Sequence, residues 1–146
     1  HKQVSGRKRH IIVDTLGLLL LVLVHRASIP DGNGGKLILA KLFERIKHSL
    51  YNRWCRFKLI WADGAYEDIR TWVKQQFGWK LEVVHRPPET KGFQILPRRW
   101  VVERTFGWFG RYRRLGRDYE HQTRSSEAMV YIASIHRMLR LLTCAT

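Results

Sequence analysis

The sequence predicts an α/β fold in a single domain over residues 1–146. Short runs rich in Ile, Leu and Val alternate with stretches whose apolar residues recur at helical spacing, and breakers containing Gly or Pro separate them. A chain of 146 residues, 45% of them hydrophobic, is long enough for one domain with a sizeable core and too apolar to be disordered. The predicted order of elements is β-β-α-β-α-β-α-α.

A β-hairpin is predicted at the start of the chain. Residues 11–13 and residues 18–24 are apolar runs, and the turn between them at residues 14–17 contains Asp and Gly. Neither run alternates with polar residues, which indicates strands that are buried on both faces.

Residues 30–35 are predicted to form a loop, because Pro, Asp, Asn and Gly favour turns. They lack the GK[ST] ending of a phosphate-binding loop, so no nucleotide site is predicted there. Leu39, Phe43, Ile46 and Leu50 follow at helical spacing. This spacing predicts an amphipathic helix of about four turns.

Asp63 follows a predicted strand at residues 58–62 and precedes Gly64. In an open α/β sheet, ligands bind in the crevice beyond the carboxyl ends of the strands, so this position favours a functional site. The alternative is an Asp that only caps the next helix, and the two interpretations have about equal weight. That helix is predicted from the spacing of Ile69, Val73 and Phe77.

A further strand at residues 81–85 and a breaker-rich loop at residues 86–92 lead to a helix that carries Glu103. Arg99 lies one turn before Glu103 on the same side. An apolar stripe is predicted beside them, formed by Val102, Phe106 and Phe109. Because a buried, unpaired carboxylate is costly, Glu103 should be paired, protonated or holding a metal. A plain ion pair with Arg99 is the alternative.

The last predicted helix begins near residues 123–126 and continues towards the end of the chain. Its apolar face is formed by Ala128, Tyr131, Ile132, Ile135, Met138, Leu139 and Leu142. Such a stripe is predicted to be part of the core rather than a cofactor site.

The formal net charge of +15 and the pI near 10.6 indicate a polyanionic partner, of which nucleic acid is the usual one. A membrane surface is the lesser alternative, and the apolar run at residues 16–24 is too short to span a bilayer. Cys55 and Cys144 lie far apart without metal-ligand spacing, which is typical of reduced thiols in a cytosolic protein. The histidines form no zinc-binding pattern.

Four segments together resemble bacterial DDE transposases of the IS5 family, within the IS4-like group. They are residues 6–18 (GRKRHIIVDTLGL), 62–66 (ADGAY), 98–106 (RRWVVERTF) and 111–115 (RYRRL). The resemblance runs over nearly the whole chain, and the order of its motifs makes it specific. It implies an RNase H-like catalytic core, with a mixed sheet flanked by helices, that cuts and joins the DNA ends of an insertion sequence.

Carried over residue by residue, the resemblance implies that Asp63 is the second acid of the catalytic triad and Glu103 the third. Both would be ligands of Mg²⁺ or Mn²⁺. Arg99 matches the arginine of the signature Y-x2-R-x3-E-x6-K, whereas Leu96 stands in place of its tyrosine and Gly110 in place of its lysine.

The first acid of the triad lies, in the family, on a strand upstream of the segment that begins at Gly6. The sequence therefore leads us to expect an N-terminally truncated domain whose sheet is incomplete because the first strand is missing. Asp14 belongs to a different motif and is not assigned to that role. A homo-oligomer, or an upstream transposase segment that completes the sheet, is the expected protein partner.

Two functions are predicted for the chain. The first is a metal-dependent DNA transposase in the bacterial cytoplasm, associated with the nucleoid and weakly active or inactive alone. The second is a non-catalytic basic fragment that binds DNA or interferes with full-length transposase. In either case the expected contacts to insertion-sequence ends and target DNA come from Arg99, Arg104, Arg111, Arg113, Arg114 and Arg117, together with Arg7, Lys8 and Arg9.

Overall fold

The computed structural model describes residues 6–48, 57–85 and 96–144. Within these residues the predicted α/β class and the predicted order of strands and long helices are confirmed. The strands are β1 (Arg7–Val13), β2 (Leu19–Arg26), β3 (Leu59–Ala62) and β4 (Lys80–Val83). The helices are α1 (Asp31–Lys47), α2 (Arg70–Phe77), α3 (Pro97–Gly110), α4 (Arg113–Gly116) and α5 (Thr123–Thr143), with a 3₁₀ helix at Gly64–Ile69. The predicted loop at residues 86–92 lies outside the described residues.

The described strands form two separate pairs. Strands β1 and β2 are an antiparallel hairpin in which His10 is opposite Leu23. Strands β3 and β4 are parallel, with Trp61 opposite Glu82. A single mixed sheet is therefore not present among the described residues, and the RNase H-like arrangement stays a prediction.

The chain divides into two compact units, residues 1–28 with 101–146, and residues 29–100. In the first unit the core lies between one face of the hairpin and helices α3, α4 and α5. It consists of Val22, Val24, Phe109, Leu115, Val130 and Ala133. Since alternate residues of a strand point to one face, Val22 and Val24 both reach this core from β2.

The second unit is built around helix α1 and the β3–β4 pair. Leu39 and Leu42 of α1 are buried, and so are Ile69 and Val73 from the 3₁₀ helix and α2. This confirms the buried side that the sequence predicted for the helix after Asp63. Contacts between aromatic rings add to this core and involve Phe43, Phe77 and Trp79.

The prediction of a loop at residues 30–35 was wrong, because α1 already begins at Asp31. Glycines of this helical turn are buried against neighbouring groups. A Cβ atom on Gly35 would lie 2.7 Å from Cδ1 of Tyr66, and one on Gly32 would lie 2.5 Å from Oδ2 of Asp68. The glycines therefore serve close packing of a helix against the 3₁₀ helix rather than a turn.

The prediction that the apolar stripe of α5 belongs to the core was also wrong for most of its residues, although Tyr131 packs against the core. Ile132, Ile135, Leu139 and Leu142 are exposed. The buried side of α5 consists of Ser126, Val130, Ala133 and Ser134. Small residues let the helix approach strand β2 closely, and a pattern based on hydrophobicity alone does not identify such a face.

Candidate catalytic acids and the basic surface

Asp63 directly follows strand β3 and is the N-cap of the 3₁₀ helix. Its side chain is half-buried, and its Oδ1 atom accepts a hydrogen bond from the backbone N–H of Ala65 at 3.0 Å. Asp63 thus caps the helix, as one of the two interpretations predicted. The hydrogen bond also holds its carboxylate in place at the carboxyl end of the strand. Among the described residues, Oδ2 makes no hydrogen bond.

The carboxylates of Asp63 and Asp31 place negative charge near Tyr66. Burial, followed by the charges of these two acids, raises the pKa of the Tyr66 hydroxyl to about 12. Acids that disfavour a phenolate at this position favour a cation for the same reason. The local field is therefore compatible with a bound metal ion.

A cluster around Glu82 connects strand β3, strand β4 and the first turn of α3. The indole Nε1–H of Trp61 donates to Oε2 of Glu82 at 2.9 Å, and Lys80 donates to Oε1 at 2.6 Å. The guanidinium of Arg98 lies 4.9 Å from the ring centroid of Trp61 and 3.6 Å from the Glu82 carboxylate. Helix α3 is thus anchored at its start on the strand pair that ends at Asp63.

Trp61, Glu82 and Arg98 were not singled out from the sequence. The signal that could have identified them is the register of the strand pair, because Trp61 is directly opposite Glu82. Opposite residues of neighbouring strands are close enough for their side chains to interact. Sequence periodicity predicts two strands here but not their register.

Glu103 lies on α3 with an exposed side chain. The helix is held to the hairpin turn by neighbouring residues: Thr105 is almost fully buried, and its hydroxyl lies within hydrogen-bond distance of two carbonyls, that of Gly17 at 3.2 Å and that of Val101 at 2.9 Å. In the predicted stripe Phe109 is buried, whereas Phe106 is exposed. Thr105 is buried where Phe106 was expected, because it fits beneath Gly17, where a Cβ atom would lie only 2.8 Å from the Thr105 Oγ1 atom.

Asp14 has a structural role in the same turn. Its Oδ1 atom accepts hydrogen bonds from the backbone N–H groups of Leu16 and Leu18, at 2.9 and 2.8 Å. An Asp that satisfies the backbone of a turn in this way is common in hairpins. This agrees with leaving Asp14 out of the catalytic acids.

Among the described residues, no group of three or more His, Cys, Asp or Glu side chains lies close enough together to hold a metal ion. Asp63 and Glu103 supply oxygen donors, which are the ligands that Mg²⁺ prefers. The free oxygen of Asp63 and the negative field near Tyr66 fit such an ion. The resemblance nevertheless implies three catalytic acids, and Asp63 and Glu103 are only two of them.

Two of the arginines expected to contact DNA are bound within the protein. Arg7 donates to the carbonyls of Glu120 and His121, each at 2.7 Å. Arg9 donates to the carbonyl of Leu115 at 2.8 Å. Arg9 therefore ties the first strand to α4, and Arg7 ties it to the chain between α4 and α5.

Three further basic residues also make intramolecular contacts. Arg104 donates to the carbonyl of Leu16 at 3.1 Å and stacks on Trp108, and Arg137 stacks on the same ring, with its guanidinium carbon 3.1 Å from the ring centroid. Burial lowers the pKa of Arg137, and the neighbouring charge of Arg104 lowers it further. Arg114 pairs with Glu120, which raises the pKa of its guanidinium.

The side chains of Arg111, Arg113 and Arg117 are exposed and have no hydrogen bond or ion pair with the rest of the described chain. Arg113 and Arg114 line a surface pocket together with Tyr119. Arg99 is exposed and Lys8 is half-buried, and both make contacts inside the protein. Among the basic residues expected to contact DNA, those without side-chain partners in the described chain therefore lie around helix α4.

Comparison with known proteins gives one significant match, to a protein family. A model of the family described as "Transposase DDE domain" matches residues 1–138. No curated protein and no solved structure matches the chain significantly. Because the match covers most of the chain, the protein belongs to the DDE transposase domain family, with a role related to transposition and DNA as its partner. Within the helices that the structure describes, none is both long and apolar enough to cross a membrane.

We expect Glu82→Gln to lower the melting temperature at neutral pH and to have a smaller effect at acid pH. Hydrogen bonds from Lys80 and Trp61, together with the charge of Arg98, lower the pKa of Glu82. Its ionised form therefore stabilises the fold above the usual carboxyl range, and this contribution is lost as the pH falls through the lowered pKa. Thermal unfolding followed by circular dichroism at several pH values measures the effect.

The matched control is Glu44→Gln, because Glu44 is an exposed acid of α1 whose ion pair is with His48 at 3.5 Å. This variant should differ little from the parent protein at either pH. A Glu82→Gln variant that loses the same stability at neutral and acid pH would contradict the assigned role of the Glu82 carboxylate.

Proposed function

We propose that the chain is the catalytic part of an insertion-sequence transposase of the IS5 type, which cleaves DNA at the ends of the element and transfers the strands to a target. The observation that carries this proposal is the family match over residues 1–138. The high positive charge and the position of Asp63 after a strand support it. Such a protein acts in the bacterial cytoplasm, on nucleoid DNA.

In this proposal Asp63 and Glu103 are catalytic residues that hold a divalent ion, Mg²⁺ or Mn²⁺. A bound divalent ion supplies the activation of the attacking oxygen and the stabilisation of the leaving oxygen in phosphodiester cleavage. The backbone N–H of Ala65 orients the Asp63 carboxylate, leaving its second oxygen for the ion. The Glu82 cluster positions both the end of β3 and the start of the Glu103 helix.

The resemblance implies a third acid, which the described residues do not supply next to these two. We propose that an upstream transposase segment, or another copy of the protein, provides it. The chain by itself is then a weak metal binder with little cleavage activity.

DNA contacts are proposed mainly for the arginines around helix α4. Arg111, Arg113 and Arg117 are exposed, and Tyr119 beside Arg113 offers an aromatic surface in the same pocket. Arg99 and Arg114 lie on the exposed surface as well. For Arg7, Lys8, Arg9 and Arg104, a DNA contact would have to be made in addition to the contacts that they already form inside the protein.

A second candidate function is a non-catalytic DNA-binding fragment that interferes with full-length transposase. The observation that favours it is the lack of a three-acid group among the described residues. Both functions predict DNA binding that weakens steeply with salt, so binding alone does not separate them. Metal-dependent cleavage does.

We expect Asp63→Asn and Glu103→Gln each to reduce the rate of cleavage by more than roughly a hundredfold. Loss of a residue that only orients a metal ligand reduces activity by at most about a hundredfold, and loss of the ligand itself should cost more. The assay is Mg²⁺-dependent nicking of insertion-sequence ends by this chain joined to the reading frame upstream of it. Both substitutions keep the size of the side chain and remove the charge that binds the ion.

Glu67→Gln is the control for this assay, because Glu67 is an exposed acid near Asp63 that pairs with Arg70 and His85. It should nick at the rate of the parent protein. If Asp63→Asn and Glu103→Gln nick normally while melting at the parent temperature, the catalytic proposal is wrong. Absence of nicking by the unsubstituted joined protein would favour the non-catalytic function.

We expect the double substitution Arg113→Gln and Arg117→Gln to make DNA binding less sensitive to salt. The slope of log K against log salt should become about two units less steep, since each phosphate contact contributes roughly 0.9 to it. Binding to duplex DNA over a series of salt concentrations measures this slope. Arg45→Gln, on an exposed position near the end of α1, should change it little. An unchanged slope in the double variant would place the DNA surface elsewhere.

A further inference from the structure

Two arginines of the first compact unit share one indole ring. The guanidinium carbon of Arg104, on α3, lies 4.8 Å from the ring centroid of Trp108. That of Arg137, on α5, lies 3.1 Å from the same centroid. Because an aromatic face attracts cations, the indole holds together two positive charges that come from different helices. We call these three side chains the arginine–tryptophan stack.

The protein supplies few hydrogen-bond acceptors to the stack. Arg137 is half-buried, yet its side chain makes no hydrogen bond and no ion pair with the rest of the described chain. Arg104 donates one N–H group to the carbonyl of Leu16, and its Nε–H group is buried without a hydrogen-bond partner. An arginine that is removed from water is normally paired, because an unpaired charge is costly to bury. The donors of the stack therefore point to an acceptor that comes from another molecule.

The contact of Arg98 with Trp61 shows the neutralised form of the same arrangement. The guanidinium carbon of Arg98 lies 4.9 Å from the indole centroid, and the Glu82 carboxylate lies 3.6 Å from the guanidinium. At Trp108 a second arginine takes the place of the acid. The stack thus carries two positive charges without an ion pair among the described residues, and this excess favours a bound anion.

The charged groups that act on Arg137 are Arg104, Asp14 and Tyr112. Burial lowers the pKa of Arg137, and the charge of Arg104 lowers it further, whereas Asp14 and Tyr112 act in the opposite direction. The Asp14 carboxylate already accepts two backbone N–H groups of the hairpin turn, and it forms no ion pair within the described chain. One nearby carboxylate therefore leaves both guanidinium groups able to bind an anion.

The geometry of the stack fits one phosphate group. The two centroid distances place the guanidinium carbons within about 8 Å of each other. A phosphate that accepts charge-assisted hydrogen bonds of about 2.8 Å from each guanidinium can bridge roughly this distance. Arginine often binds phosphate through two parallel N–H groups, and Arg137 has all its donors available for such a contact. Because DNA is the partner of this family, a backbone phosphate is the anion that the stack would meet.

The stack also lies next to a candidate catalytic acid. Arg104 directly follows Glu103 in α3, and Trp108 comes one turn after Arg104. At 100° per residue, these two side chains project about 100° and 140° away from Glu103 around the helix axis. An anion on the stack is thus beside Glu103 rather than in front of it. A DNA strand fixed there by one phosphate is held close to Glu103 without occupying its carboxylate.

We propose that the arginine–tryptophan stack binds one backbone phosphate of a DNA strand beside Glu103. Arg104 and Arg137 both donate to this phosphate, and Trp108 keeps the two guanidinium groups in position. Arg137 is thereby a DNA-binding residue that the sequence motifs did not identify. The inference rests on the proposed function only for the identity of the strand, and it does not require that the chain cleaves DNA.

The first test is the salt dependence of duplex DNA binding by the full chain, measured with EDTA so that metal-dependent cleavage plays no part. We expect Arg137→Gln to make the slope of log K against log salt about one unit less steep. Because both arginines hold the same phosphate, the double variant Arg104→Gln and Arg137→Gln should also lose about one unit rather than two. Arg45→Gln is again the control and should leave the slope unchanged.

The second test is a titration of the unsubstituted chain with inorganic phosphate, followed by nuclear magnetic resonance at constant ionic strength. The Nε–H signals of Arg104 and Arg137 and the indole N–H signal of Trp108 should shift together, and the same addition of chloride should leave them in place. In Arg137→Gln the signals of Arg104 and Trp108 should no longer respond to phosphate. This test remains decisive if the loss of the hydrogen bond to Leu16 unfolds the Arg104→Gln variant.

Three results would overturn the proposal. One is an Arg137→Gln variant with a lower melting temperature and an unchanged slope, since this would assign the stack to the packing of α3 against α5. Another is a double variant whose slope is about two units less steep, since each phosphate contact contributes roughly 0.9 and the arginines would then bind separate phosphates. The third is a phosphate titration in which the three signals stay in place. A chain that gives the expected slopes but does not nick DNA would contradict the proposed function and support the phosphate site.

Discussion

The contact of Trp61, Glu82 and Arg98 is the interaction on which the candidate site depends most. Glu82 accepts the indole N–H of Trp61 from the neighbouring strand and also pairs with Arg98 at the start of α3. One carboxylate thus connects β3, β4 and the first turn of α3. Of the Asp63 carboxylate, one oxygen caps the 3₁₀ helix and the other makes no hydrogen bond among the described residues.

The basic residues of the chain divide into two groups with different physical roles. Arg7 and Arg9 donate to backbone carbonyls and hold the hairpin against the segment before α5. Arg111, Arg113 and Arg117 remain exposed around α4. A net charge of +15 indicates a polyanionic partner, but only the contacts show which cations are available to it.

Much of the fold could be predicted from sequence, because the hairpin, the strand before Asp63 and the long helices follow from local periodicity. The start of α1 could not be predicted, since a glycine-rich sequence normally indicates a loop. Here the glycines are in a helix because Tyr66 packs closely against Gly35. The buried face of α5 was missed for a related reason, as its small residues give no hydrophobic signal. For the site, motifs identified the acids, whereas the Glu82 cluster depends on a strand register that sequence does not reveal.

The central claim is that Asp63 and Glu103 act on one shared divalent ion. It is tested most directly by Mn²⁺ binding, followed by electron paramagnetic resonance. The samples are the chain joined to the proposed upstream transposase segment, and the Asp63→Asn, Glu103→Gln and doubly substituted forms of the same protein. If the acids share an ion, their effects are coupled, and the double variant should bind little more weakly than either single variant. Strictly additive losses, or Mn²⁺ binding that either substitution leaves unchanged, would contradict the claim.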